Sequence, residues 1–218
     1  VFDNLKDFRV QLVVKNGGKV VEKGKLIVDV DDKKIPDFVL NSVKLPRPMK
    51  AEDFSDNSSL FLKPIIGVVP GQLITKKLDP LLITGAEMKK TKSLPEGINR
   101  LAVIERHTGS GRIAIALVRG IGLREGAIAS SVAHDSHNII VAGVEAAAMA
   151  AAVNVLQSCG GGFAAVNGEG EIKSLLPLEV GGLMSLERAE TVATRMEDLL
   201  FNAVKLGTKL DQPFLTLS

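Results

Sequence analysis

Apolar positions along the chain come mostly in short runs separated by turn residues. Phe8 to Val14 alternates enough for a strand, Asn16-Gly17 is the strongest short hairpin signal, Lys19 to Glu22 returns, and Lys23-Gly24 turns into Leu26 to Val30. This is a three-strand meander. Residues 31 to 58 are polar and broken by Pro36, Pro46 and Pro48, which reads as an extended linker over a surface. A second unit is expected from about Ser59.

From there strands are expected at Ile65 to Val69, Gln72 to Lys76, Arg100 to Arg106, Arg112 to Arg119, Gly126 to Val132 and Asn138 to Val141. The gaps at Gly109-Ser110-Gly111 and Gly120-Ile121-Gly122 are too short for parallel crossovers, so the pairing is expected to be antiparallel. Val144 to Gln157 is alanine-rich without Gly or Pro and predicts a helix closely packed on a sheet, stopped by Gly160-Gly161-Gly162. Phe163 to Leu175 suggests a hairpin around Asn167-Gly168. Ser185 is a candidate N-cap for a last helix to about Leu206, with Gly207 as its stop. The predicted class is α+β, a mostly antiparallel sheet with two main helices.

Composition narrows the function classes. With 218 residues, 45% hydrophobic and 24% charged, the chain can bury a core. A net charge of +2 with scattered basic residues, and eight Phe without Trp or Tyr, argues against a nucleic-acid module. No apolar run is long enough to span a membrane. The single cysteine, Cys159, excludes an internal disulfide framework and fits a reducing cytoplasm. It reads as a small buried thiol at a helix end. The start at Val1-Phe2-Asp3, without a methionine or a signal-peptide pattern, reads as a piece of a longer polypeptide.

Candidate chemistry concentrates in Ser130-Ser131-Val132-Ala133-His134-Asp135-Ser136-His137-Asn138, which holds two of the three histidines in nine residues. Three readings of His134, Asp135 and His137 stand open: turn-stabilising hydrogen bonds, a ligand-contacting loop, or a metal site. On an extended stretch the two histidines point to opposite sides, so joint metal ligation needs a turn at Asp135-Ser136. Glu105-Arg106-His107 closes another apolar strand. Alternation puts Glu105 and His107 on one face, as a strand-end ion pair or as a second edge of the same polar site, and Arg106 on the other. The glycine clusters lack the spacing of phosphate or dinucleotide motifs and read as turns.

Ile128 to Val141 resembles the signature of the carboxy-terminal domain of bacterial-type adenine deaminases, within the amidohydrolase superfamily. Ile66 to Thr75, Val103 to His107, Gly182 to Ser185 and Gln212 to Ser218 match in the family's order. The resemblance implies hydrolytic deamination of adenine to hypoxanthine and ammonia, in purine metabolism, by an intact enzyme. It implies that residues 1 to 30 are a partial β-sandwich segment and 59 to 218 the carboxy-terminal domain. It further implies a divalent metal, Mn or Fe, held by a barrel domain outside this chain, because the chain has no His-x-His and is too short for an eight-stranded barrel. No metal is expected on this fragment, and a homo-oligomer is expected. The resemblance favours His134, Asp135 and His137 as substrate-contacting or proton-shuttling residues, with Ser130, Ser131, Asn138, Glu105 and His107 as substrate-binding candidates. The alternative is a non-catalytic structural or oligomerisation module.

Overall fold

The computed structural model describes residues 1–29, 34–55, 63–72, 74–80 and 94–218. Val30, the anticipated boundary at Ser59 and Leu73 lie outside the described residues. The chain divides into two compact units, Val1–Ile35 and Pro36–Ser218.

The first unit is an antiparallel meander of β1 (Leu12–Lys15), β2 (Gly18–Glu22) and β3 (Lys25–Leu26). Both anticipated turns form. Asn16 and Gly17 have φ of 53° and 78°, and Lys23 and Gly24 have 50° and 76°. These are the left-handed pairs whose twist suits a two-residue hairpin. Val13, Val14, Leu26 and Ile27 are exposed.

The second unit is built on an eight-stranded sheet in the order β11-β10-β8-β9-β6-β7-β4-β5. Its strands are β4 (Ile65–Val68), β5 (Thr75–Leu78), β6 (Ile98–Ile104), β7 (Ile113–Arg119), β8 (Ala127–Ser130), β9 (Ile139–Gly143), β10 (Gly162–Val166) and β11 (Ile172–Pro177). Pairing is antiparallel except between β4 and β7, so the sheet is mixed but mostly antiparallel, and the class is α+β as expected. Among the described residues there are four helices: α1 (Asp37–Leu40), α2 (Ala146–Ser158), α3 (Ala189–Lys205) and α4 (Pro213–Leu217).

Helices cover both faces of the central strands. Ala127 and Ala129 pack with Ala148, Met149, Ala152 and Val153 of α2, while Ile128 between them packs with Leu199 and Ala203 of α3 and Phe214 and Leu217 of α4. A strand covered on both sides has no polar face, which is why β8 and β9 read as continuous apolar runs. Small residues let α2 approach closely. At Gly143 a Cβ would stand 2.6 Å from Met149 Cγ.

Two expectations need adjustment. The helix expected after Ser185 starts at Ala189 (α3) and is followed by the short α4: Ser185 Oγ accepts from the Glu187 N–H at 3.1 Å, and Glu179 Oε2 accepts from the Leu186 N–H at 3.1 Å, so local side-chain bonds replace the helical start. The stretch read as a linker packs where it is described. A 3-10 turn at Ala51–Phe54 buries Phe54 completely against the α2 cluster, and Asn154 of α2 binds Met49 through both its N–H (2.7 Å) and its carbonyl (2.9 Å).

Candidate active-site loop

Sheet register assembles the site. Ile104 of β6 pairs with Ile139 of β9, so the residues leaving β6 (Glu105, Arg106, His107) lie beside those entering β9 (Ser136, His137, Asn138). Ser130 of β8 pairs with Ile140 of β9 and with Phe163 of β10, which turns 131–138 into the loop of a hairpin and brings Ser131 to Gly162.

The loop backbone is strained and anchored. Asp135 and His137 have φ of 63° and 49°, a region sparsely used by residues with a Cβ. The His137 N–H donates to Ala133 O at 2.7 Å, and the His134 N–H donates to Ser218 O at 3.2 Å, which ties the loop to the end of α4. His134 and Asp135 project outward with side chains 84% and 94% exposed, Nδ1 to Oδ1 at 3.2 Å. His137 and Asn138 are half-buried. Their Nδ1 and Oδ1 atoms are enclosed, yet have no hydrogen-bond partner among the described residues.

The other candidates stand behind the loop. Ser130 and Ser131 are fully buried. Ser130 Oγ accepts from the Val132 N–H at 2.9 Å; Ser131 Oγ donates to Gly182 O at 2.6 Å and accepts from the Gly162 N–H at 2.7 Å. The Glu105 carboxylate accepts from five donors: the amides of His107, Thr108 and Ser110 and the hydroxyls of Thr108 and Ser110, both at 2.6 Å. The hydroxyl bonds, first that of Ser110, hold its pKa far below the ordinary carboxylate range, so it stays anionic and staples its own turn. His107 Nε2 lies 2.9 Å from Ser136 O; a carbonyl only accepts, so this nitrogen carries the proton.

Arg106, on the face shared with Ala102 and Ile104, is 1% exposed. Its Nε donates to His137 O, Nη1 to Ser42 O (3.3 Å) and Oγ (3.1 Å), and Nη2 to Gly181 O (3.0 Å). Burial lowers its pKa, but a guanidinium stays charged. Alternation along β6 placed Arg106 correctly; a cation in register with two core residues was the available signal that it is buried. Ser42, Gly181 and Ser218 carried no such signal, since they arrive through tertiary packing.

The turn needed for joint ligation by His134 and His137 does form. However, among the described residues no three His, Cys, Asp or Glu side chains group so as to hold a metal ion. The donors present do not fit the metal that the family resemblance implies. Among the described residues no helix is long and apolar enough to cross a membrane. Cys159 caps α2 half-buried, with Sγ 3.2 Å from Gly161 O and its pKa raised by burial.

A doubly covered, mostly antiparallel sheet presenting a strained polar hairpin loop defines an α+β domain. The sequence model described as "Adenine deaminase C-terminal domain" matches residues 72–218, and the chain belongs to that family. It is 39% identical to an adenine deaminase of Dehalococcoides mccartyi over 219 aligned residues, which cover 100% of this chain and 38% of that protein. An adenine deaminase of Methanothrix thermoacetophila is 37% identical, with 97% of this chain and 36% of the relative covered. For one of Brucella abortus the figures are 38%, 100% and 36%. The chain thus spans little more than a third of the length of these relatives.

Proposed function

We propose that this chain is the carboxy-terminal part of an enzyme that hydrolyses adenine to hypoxanthine and ammonia, and that the loop from His134 to Asn138 contacts the purine or closes over it. The pair of enclosed, unpartnered atoms on His137 and Asn138 carries this reading. Leaving a buried polar group unpaired costs about 1–3 kcal/mol, so two adjacent ones on a strained loop call for a partner in the working protein. The chemistry suits a purine. An asparagine amide matches the amino and ring-nitrogen edge of adenine, and an imidazole can donate to or accept from a ring nitrogen.

In this reading His134, Asp135, His137 and Asn138 face the ligand. Asp135, its Oδ1 3.2 Å from His134 Nδ1, orients the imidazole to move a proton, and closure of the loop excludes water from the ring. Ser130, Ser131, Glu105 and His107 serve the same site from behind by fixing its backbone. The divalent metal, manganese or iron, is assigned to the part of the relatives' length that this chain does not cover. The compartment is assigned to the cytoplasm on the single cysteine.

The test uses H134A, D135A and H137A in the full-length protein carrying this chain, with kcat/KM, metal content and melting temperature measured on each. The expected result is a loss of about 10- to 10,000-fold in kcat/KM with metal and melting temperature near wild type. Lost metal would make these residues ligands. A second reading, a purely structural module, draws on the buried Ser130 and Ser131 hydroxyls, and unchanged kinetics with a lowered melting temperature would establish it.

A further inference from the structure

Arg106 is a completely buried cation with no carboxylate among its hydrogen-bond partners in the described residues; all of its bonds run to carbonyl oxygens and one hydroxyl. Burying such a charge is costly, and an apolar residue of similar volume would pack the same space without that cost. What an apolar residue cannot do is hold three separate backbone segments in one fixed fork. Those segments are Ser42, Gly181 and His137, and the third is the strained end of the candidate loop. The neighbouring His107 donates from Nε2 to Ser136 O, one residue earlier in that loop. Glu105, gripped by five donors, keeps the turn carrying both residues in place. Gly182 fits against the guanidinium so closely that a Cβ there would lie 2.8 Å from both Nη1 and Nη2.

We infer that Glu105-Arg106-His107 is a positioning clamp: Arg106 and His107 hold the carbonyls of His137 and Ser136 so that the His134 to Asn138 loop keeps its strained, ligand-ready conformation. Glu105 and His107, by their geometry, act through the loop and not on the substrate. The inference rests on the reading of that loop as the ligand contact. It adds Arg106 as the positioning residue that joins the loop to the body of the domain. Without the clamp, Asp135 and His137 relax out of the left-handed region and the side chains lose their common orientation.

The experiment compares R106K, R106M, H107A and H107Q with H134A in the full-length protein, by hydrogen exchange of the loop peptide and by steady-state kinetics on adenine. R106K keeps the charge but loses the fork; H107Q keeps a donor of similar reach where H107A does not. The expected result for R106K and H107A is at least about ten-fold faster exchange in the loop, with α2 peptides as in wild type, and a loss of about 10- to 100-fold in kcat/KM. H107Q restores much of both. The R106K/H134A double variant is hardly worse than H134A, because a clamp acts through the group it positions. Should R106M fail to fold, the exposed His107 pair still decides the matter. Unchanged loop exchange in both R106K and H107A, or losses that simply add in the double variant, overturns the clamp. If H134A, D135A and H137A leave turnover intact, the ligand reading of the loop fails separately, while the exchange data still judge whether Arg106 and His107 hold it.

Discussion

Replacing Asn154 by leucine tests whether residues 36–55 are structural parts of the domain. Asn154 is a half-buried residue of α2 that accepts from the Met49 N–H at 2.7 Å and donates to Met49 O at 2.9 Å, across 105 residues of sequence. Two such bonds contribute about 1 kcal/mol each, and leaving the buried Met49 amide and carbonyl unpaired adds about 1 more. Leucine is the better helix former and returns about 0.5 kcal/mol, so N154L should cost about 2.5 kcal/mol. Urea unfolding followed by circular dichroism at 222 nm reads the right unit, because the helices of the described residues all lie in Pro36–Ser218. A companion variant separates hydrogen bonding from shape. In N154D one carboxylate oxygen still accepts from Met49 N–H, but the other meets Met49 O in place of a donor. That repulsion raises the folded-state pKa of the new carboxyl, so the loss is full above the raised value and is relieved as pH falls through it toward the unfolded pKa near about 4. N154L should show no such recovery. A loss below about 0.5 kcal/mol for N154L would refute the claim that this segment is tied into the domain.

Gly181 and Gly182 have φ of 68° and 71°, but an added Cβ meets nothing at the first and the Arg106 guanidinium at the second. G181A should therefore cost only the left-handed strain of about 1–2 kcal/mol, and G182A clearly more, by urea midpoint at unchanged slope. Equal losses would mean that the guanidinium gives way freely. Asp53 accepts both Arg47 Nη atoms at 2.7 Å, and that side-chain bond above all, with the Lys50 amide, pulls its pKa down to about 2. A depressed carboxylate adds stability above its unfolded pKa near 4 and loses it as pH falls toward 2. The stability gap between wild type and D53N should close across that window, and a gap independent of pH would contradict the pairing.

Residues 36–55 pack more closely than their sequence pattern implies. Three prolines and many polar residues made the stretch read as a linker, and it is indeed short of regular structure. Yet Met49 and Phe54 are core residues, docked on the helix that alanine composition had already located. Proline reports what a backbone cannot do locally; whether its apolar neighbours find a surface depends on a helix about a hundred residues away.

The sequence by itself determined most of what depends on neighbours along the chain, the start of α3 excepted. The two left-handed hairpin pairs, the alanine-rich helix and its glycine stop, and the hairpin around Asn167-Gly168 follow from backbone preferences a few residues wide. The polar loop from Ser130 to Asn138 was visible for the same reason, as was the parity that puts Glu105 and Arg106 on opposite faces. Only the tertiary structure decided which of these polar groups face outward. The pairing of β6 with β9, more than thirty residues apart, brings Arg106 to His137 and His107 to Ser136, and the pairing of β8 with β10 buries Ser131 against Gly162. A hydroxyl or a carboxylate looks equally free in any sequence. Its availability is set by the donors and acceptors brought to it: Glu105 and Ser130 are occupied by their own turns and Ser131 by Gly162 and Gly182 from distant segments, while His137 Nδ1 and Asn138 Oδ1 have no partner among the described residues.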